Sequence, residues 1–345
     1  MQVYSSQLQH RFLPGGGILR KHTLIAGILS LLGCFFLILD RETAMEGILE
    51  GMQFCLTVVI PGLFPFFFLT GLMCRCLSGL DMPFLSPLGK VMGLPKGGNY
   101  LLIPAFLGGY PMGARAVSEA VSRGSLDKAS AQRLLFFCSN AGPAFFFGVL
   151  PSVLEDKKMT FSLWILHMVS AILISVLLPG NFSSKIAPPK KETINLGEVM
   201  ASALRGTAMV CGWILIFKLI IRILNRWILW RLPAWTQVVC AGLLELTNGC
   251  SSLMAIESSS LRFVLAAAFT GWGGFCVAMQ TTSILGNLPC SSYLTGKLLH
   301  VVISTALAFS LVSGHLFLIL NITLTFLFFC RTLQNRGRKI LPHIV

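Results

Sequence analysis

Uncharged apolar stretches as long as a bilayer is thick recur along this chain, and they restrict its folds more than any other feature. Thr23–Leu39 (TLIAGILSLLGCFFLIL) is 17 residues without a charge, just enough for a helix to cross about 30 Å of hydrocarbon. Uncharged runs follow at Phe54–Cys74, Leu134–Leu150, Phe161–Leu178 and His315–Cys330, and apolar runs with isolated charges at Leu196–Leu224, Leu261–Leu285 and Tyr293–Val312. A chain this apolar has to satisfy its backbone polar groups inside lipid, which leaves helices as the spanning structure. Composition agrees. Of the 345 residues 54% are hydrophobic and only 12% charged, against about a quarter charged in soluble domains.

The net charge of +14 does not imply nucleic acid, because the basic residues lie between and beyond the apolar runs rather than on one face. That distribution suits anionic headgroups and orientation by the positive-inside rule. Arg11, Arg20 and Lys21 precede the first run, whereas Asp40, Glu42, Glu46 and Glu50 follow it. Arg331, Arg336, Arg338 and Lys339 close the chain. Both termini are therefore expected in the cytoplasm. The first run follows a polar lead, has no small-residue cleavage site and is succeeded by further runs, so it reads as a retained helix. Eleven scattered cysteines offer no metal spacing and read as reduced and structural.

Two segments are too short or too broken to be ordinary spans. Asn99–Val121 is interrupted by Gly108-Gly109-Tyr110-Pro111 and predicts a re-entrant helix-turn-helix. Trp235–Ile256 is a second short segment, interrupted by Glu245 and the polar residues after it. The expected fold is all-α and polytopic, with about eight transmembrane helices plus two re-entrant hairpins.

The halves repeat. GGYPMGA from Gly108 corresponds to ELTNGCS (245–251) through Gly113 and Gly249; FCSNAGPAFF (137–146) to AFTGWGGFCV (268–277); LHMVSAIL (166–173) to LHVVISTA (299–306). With three spans and one hairpin per unit, the second copy runs upside down, as in secondary transporters. The expected organisation is a cytoplasmic N-terminus with a first span (1–44), a first repeat (45–179), a Pro- and Lys-rich cytoplasmic linker (180–195), a second repeat (196–312), and a last span with a basic tail (313–345).

Candidate ligand-binding residues follow from the cost of polar groups at membrane depth. Ser139, Asn140 and Gly142 lie in a mid-membrane SNAGP, where an amide offers donors and an acceptor to an uncharged polar solute; interhelical hydrogen bonding is the alternative. Glu245 is the strongest single candidate, as ligand acceptor, proton carrier or cation ligand, with capping of Thr247 or Asn248 as the structural alternative. Thr270 and Gln280 complete the set in the second half. His167 and His300 read as packed or interfacial. No nucleophile, metal or phosphate-loop signature is present, so no enzymatic activity, cofactor or metal is expected. Expected partners are membrane lipids, a small polar solute and a coupling proton or sodium ion; homo-oligomerisation stays open.

At these residues the chain resembles the nucleoside-recognition, or Gate-domain, membrane proteins, and most of all the sporulation integral membrane protein YlbJ group. PGLFPFF (61–67), GYPMGAR (109–115), FCSNAGPAFFFG (137–148) and GLLELTNG (242–249) carry the resemblance. It implies a bacterial, spore-forming source, the cell (inner) membrane including the membrane around the forespore, and a Gate domain similar to part of concentrative nucleoside transporters. Solute transport and a non-transporting role in spore-envelope assembly are the two functions it leaves.

Overall fold

The computed structural model describes residues 16–77, 79–95, 97–178 and 194–315. Residues 180–193 of the expected linker (180–195), the last span after residue 315 and the basic tail lie outside them. Every regular element among the described residues is helical. The chain forms two compact units, 1–46 and 47–345.

In the first unit, α1 (Gly16–Leu39) exposes Leu24, Leu31 and Ile38, the surface of a helix meant to be solvated by lipid rather than water. Asp40 accepts from the backbone N–H of Thr43 at 3.3 Å, starting α2 (Arg41–Phe54).

The second unit is a bundle whose long helices alternate with short broken ones. The rest of α2, a π-helical turn at Cys55–Val59 and α3 (Ile60–Leu77) form one continuous rod. It carries Pro65 inside α3, and π turns of this kind widen the helix locally. Short helices follow: α4 (Ser86–Val91), α5 (Leu102–Phe106), α6 (Met112–Ser122), α7 (Lys128–Leu135), α8 (Pro143–Gly148) and α9 (Pro151–Leu154). Then come the long α10 (Lys157–Leu177) and α11 (Leu196–Trp227), the short α12 (Ala234–Leu244) and α13 (Leu246–Ser252), and α14 (Ser259–Trp272), α15 (Gly274–Leu285) and α16 (Ser291–Ser313).

Side-chain caps start the long helices where the sequence supplies them. Asp156 accepts from Lys158 N at 2.7 Å before α10, Asn195 from Glu198 N before α11, and Ser258 from Leu261 N before α14, satisfying N–H groups that have no intrahelical partner. The rod from Gly47 to Leu77 runs antiparallel along α11: Gly51 meets Leu215, Cys55 meets Cys211 and Gly71 meets Val199. On the other side, α16 packs against α14, α10 and α7.

Among the described residues, five helices are long and apolar enough to cross a membrane: 41–77, 157–177, 196–227, 259–285 and 291–313. The chain is a multi-pass membrane protein. The helix-turn-helix expected at Asn99–Val121 appears as α5 and α6 about a turn at 107–111. Leu134–Leu150, expected as a span, breaks between α7 and α8. Pro143 lacks the N–H a helix needs and holds Gly142 extended, at φ −84° and ψ 163°. Leu261–Leu285 breaks likewise at Gly273 and Gly274, whose φ of 83° and 86° lie where residues with a Cβ are disfavoured.

Candidate functional site

The breaks converge. In the first, the backbone freed between α7 and α8 is met by side chains from three directions. Asn140 Nδ2 donates to the carbonyls of Ala105 and Phe137 at 3.0 and 2.9 Å. The Ala141 N–H donates to His167 Nε2 at 3.0 Å, and Lys297 Nζ donates to the Ser139 carbonyl at 2.9 Å. Such partners are what allows non-helical backbone inside a membrane protein. Asn140 Oδ1 and Ser139 Oγ are buried without a hydrogen-bond partner. The turn of the α5–α6 pair lies directly on this break. A Cβ at Gly142 would stand 2.7 Å from Gly109 N, and one at Gly113 only 1.6 Å from the Cys138 carbonyl oxygen.

In the second break, Glu245 is the extended N-cap of α13. Its Oε1 accepts from Thr247 N at 2.9 Å and its Oε2 from Asn248 N at 2.8 Å, while the residue is only 4% exposed. The capping role is therefore fulfilled, and both carboxylate oxygens already hold one hydrogen bond. Gly274 approaches the Glu245 backbone so closely that a Cβ would lie 3.0 Å from its Cα. Gly249 does the same to Gly242 across the α12–α13 pair, at 2.1 Å.

Tyr110, in the turn between α5 and α6, links the break at Ser139, through Lys297, to the break between α14 and α15. Its ring lies beside Gly273, and its hydroxyl donates to the Thr270 carbonyl at 2.8 Å while accepting from Lys297 Nζ. Thr270 thus contributes its backbone oxygen; its own hydroxyl is spent within α14, on Ala266 at 2.7 Å. Next to this junction the His167 and His300 rings stack, with centroids 4.2 Å apart.

Among the described residues, three cavities lie in succession along α11. The middle one, about 180 Å³, is walled by Val210 and Ile214 of α11, by Phe66 of α3 and by the breaks, including Gly109, Gly142 and Glu245. Gln280 lines it too and donates to Cys276 Sγ at 3.2 Å. This is below the roughly 300–1,000 Å³ of most small-molecule sites, and its lining is mostly carbon. Toward the C-terminal end of α11 a polar cavity of about 320 Å³ is lined by Lys218, Arg222, Asn225, Gln237, Asn248 and Ser252. Toward the N-terminal end, one of about 580 Å³ is lined by Arg75, Arg115, Glu119, Glu198, Ser202 and Arg205. Lys218 donates to Asn248 between the middle cavity and the first of these ends.

Of the residues singled out in the sequence, Gly142, Glu245 and Gln280 line the middle cavity together with Gly108, Gly109 and Tyr110. Ser139, Asn140 and Thr270 stand behind it, holding the breaks; Pro111 forms a cis peptide with Tyr110. Sequence reasoning passed over Lys297. It is 2% exposed, and it is a cation within an otherwise uncharged helix of 23 residues, a signal of function that was legible. Arg115 and Lys218 were likewise not singled out as site residues. No cluster of His, Cys, Asp and Glu able to hold a metal occurs among the described residues.

No family model matches the chain, and no solved structure matches it. Across 74% of its length it is 22% identical to the sporulation integral membrane protein YlbJ of Bacillus subtilis (strain 168), covering 76% of that protein. Together with the five helices, among the described residues, that are long and apolar enough to cross a membrane, this similarity to YlbJ supports a multi-pass integral membrane protein.

Proposed function

We propose that the protein is a secondary transporter or permease for a small polar solute of nucleoside-like character, carried along α11. The observation that carries this reading is the line of cavities, polar at each end and narrower and carbon-lined in the middle, where the helix breaks meet. From Ser202 to Asn225, α11 covers about 35 Å at 1.5 Å per residue, close to the thickness of a bilayer core.

Two inverted Gate-like repeats, with about eight spans and two re-entrant hairpins in all, account for the pairing of equivalent features. Gly113 and Gly249, matched in the sequence, are both sites of close backbone approach, and the matched His167 and His300 stack on one another. In each half the first break lies against the second: Gly109 on Gly142, and Glu245 on Gly274. Pseudo-symmetric halves of this kind rock about a fixed site. The middle cavity then corresponds to a closed state that opens to one end by parting Lys218 from Asn248. Glu245 and Gln280 contact solute or a coupling proton or sodium ion. The protein works without catalytic chemistry, cofactor or nucleic acid, in the bacterial cell membrane or the membrane around the forespore, with both termini cytoplasmic.

One observation favours a different role. The middle cavity is small and carbon-lined, and Glu245 is engaged by two backbone N–H groups, as in a factor that supports spore-envelope assembly without transporting. Purified protein in liposomes, tested against nucleosides and other small polar solutes under proton and sodium gradients, separates the two. Gradient-dependent accumulation of one solute is the expected result; none for any solute, from folded protein, favours the non-transporting factor.

A further inference from the structure

The cavity at the N-terminal end of α11 holds more positive charge than its acids neutralise. Arg75, Arg115, Arg123 and Arg205 line it, against Glu119 and Glu198. Both acids are occupied. Glu119 lies 3.6 Å from Arg75 and 3.3 Å from Arg123, and Glu198 lies 3.3 Å from Arg75. Among the described residues neither Arg115 nor Arg205 pairs with a carboxylate.

Arg115 is the unusual member. It is only 8% exposed, and its guanidinium stacks over the Phe67 ring at 4.5 Å. One end of the fork is used: Nη2 donates to Ser202 Oγ at 2.8 Å. Nη1 is buried with no partner and lies beside Gly206, a lining residue, where a Cβ would stand 2.4 Å from it. A desolvated guanidinium with an unused N–H and no carboxylate within ion-pair distance is costly, and a carboxylate or phosphate is the group whose geometry matches its fork. Ser202, which accepts from Arg115, keeps its own proton to give.

We propose that this cavity is an anion-binding site for a carboxylate- or phosphate-bearing group, held by Arg115 and Ser202 from within and by Arg205 from its exposed side. At about 580 Å³ it falls within the usual range for small-molecule sites. The group belongs either to a soluble metabolite or to the headgroup of an anionic lipid. Binding here stands whether or not the path along α11 conducts, and it is read without any measurement of flux.

The full-length protein in phosphatidylcholine nanodiscs is melted against inorganic phosphate or citrate, with chloride holding ionic strength constant. One of the two anions should stabilise it saturably, and Arg205→Gln should weaken that binding about tenfold, the loss of one charge-assisted contact. Arg205 is exposed, so its variant keeps the test valid even where Arg115→Gln does not fold. In nanodiscs containing phosphatidylglycerol, stabilisation that Arg205→Gln abolishes assigns the group to lipid. The proposal is overturned if neither anion nor phosphatidylglycerol stabilises the protein, or if Arg205→Gln responds as the unaltered protein does.

Discussion

Replacing Glu245 with glutamine puts an amide NH2 where one of two carboxylate oxygens now stands. In the native site each oxygen accepts one backbone N–H, from Thr247 at 2.9 Å and from Asn248 at 2.8 Å. Glutamine keeps a single acceptor, so one of these N–H groups loses its partner in a largely buried place. Hydrogen bonds to a charged group are worth about 1.5–3 kcal/mol, and a buried unsatisfied donor costs a similar amount. The N-terminal helix dipole contributes little, since α13 has only seven residues. Glu245→Gln should therefore destabilise the protein by about 2–3 kcal/mol, measured by detergent-titrated unfolding of the purified chain. Stability within about 0.5 kcal/mol of wild type, the usual range for a neutral surface change, would refute the view that this carboxylate holds the second break together. The same variant bears on transport once uptake is normalised to folded protein. If Glu245 also carries the coupling proton, exchange of solute persists while gradient-driven accumulation is lost.

Gly249→Ala should cost about 3 kcal/mol, the upper end for overpacking, because its Cβ would meet Gly242 backbone at 2.1 Å rather than a side chain that can swing away. Gly212→Ala, in the middle of α11 with nothing within 4 Å, should instead gain about 0.5–1 kcal/mol from helix propensity; thermal melting of the two side by side decides whether close approach or glycine as such matters. Lys297→Met leaves the buried Ser139 carbonyl without its donor and should lower stability by about 1–3 kcal/mol. An unchanged melting curve would mean that this amine is not what closes the first break.

Much of the architecture was legible in the chain itself, because lipid turns secondary structure into a question of length and charge. Apolar runs such as Phe161–Leu178 and Tyr293–Val312 correspond to α10 and α16 within a few residues. The glycines and proline at 108–111 marked a real turn, since each acts through its own backbone. Glu245 stood out because a carboxylate in an apolar segment has to be satisfied somewhere, and local capping was one of the answers the sequence offered. What the sequence could not decide is which distant groups meet. Leu134–Leu150 read as one span by hydropathy alone; only packing revealed that Asn140, His167 and Lys297 together satisfy the backbone of a break there. Lys297 and Tyr110 are 187 residues apart in the chain, and no local pattern encodes their contact. Nor does composition show that Arg115 is buried with half its fork unused, since burial and pairing are properties of neighbours supplied by α3 and α11. Period and length fix helices within one segment, whereas a buried polar group is made tolerable, and given a role, by partners that only the folded bundle brings within 3 Å.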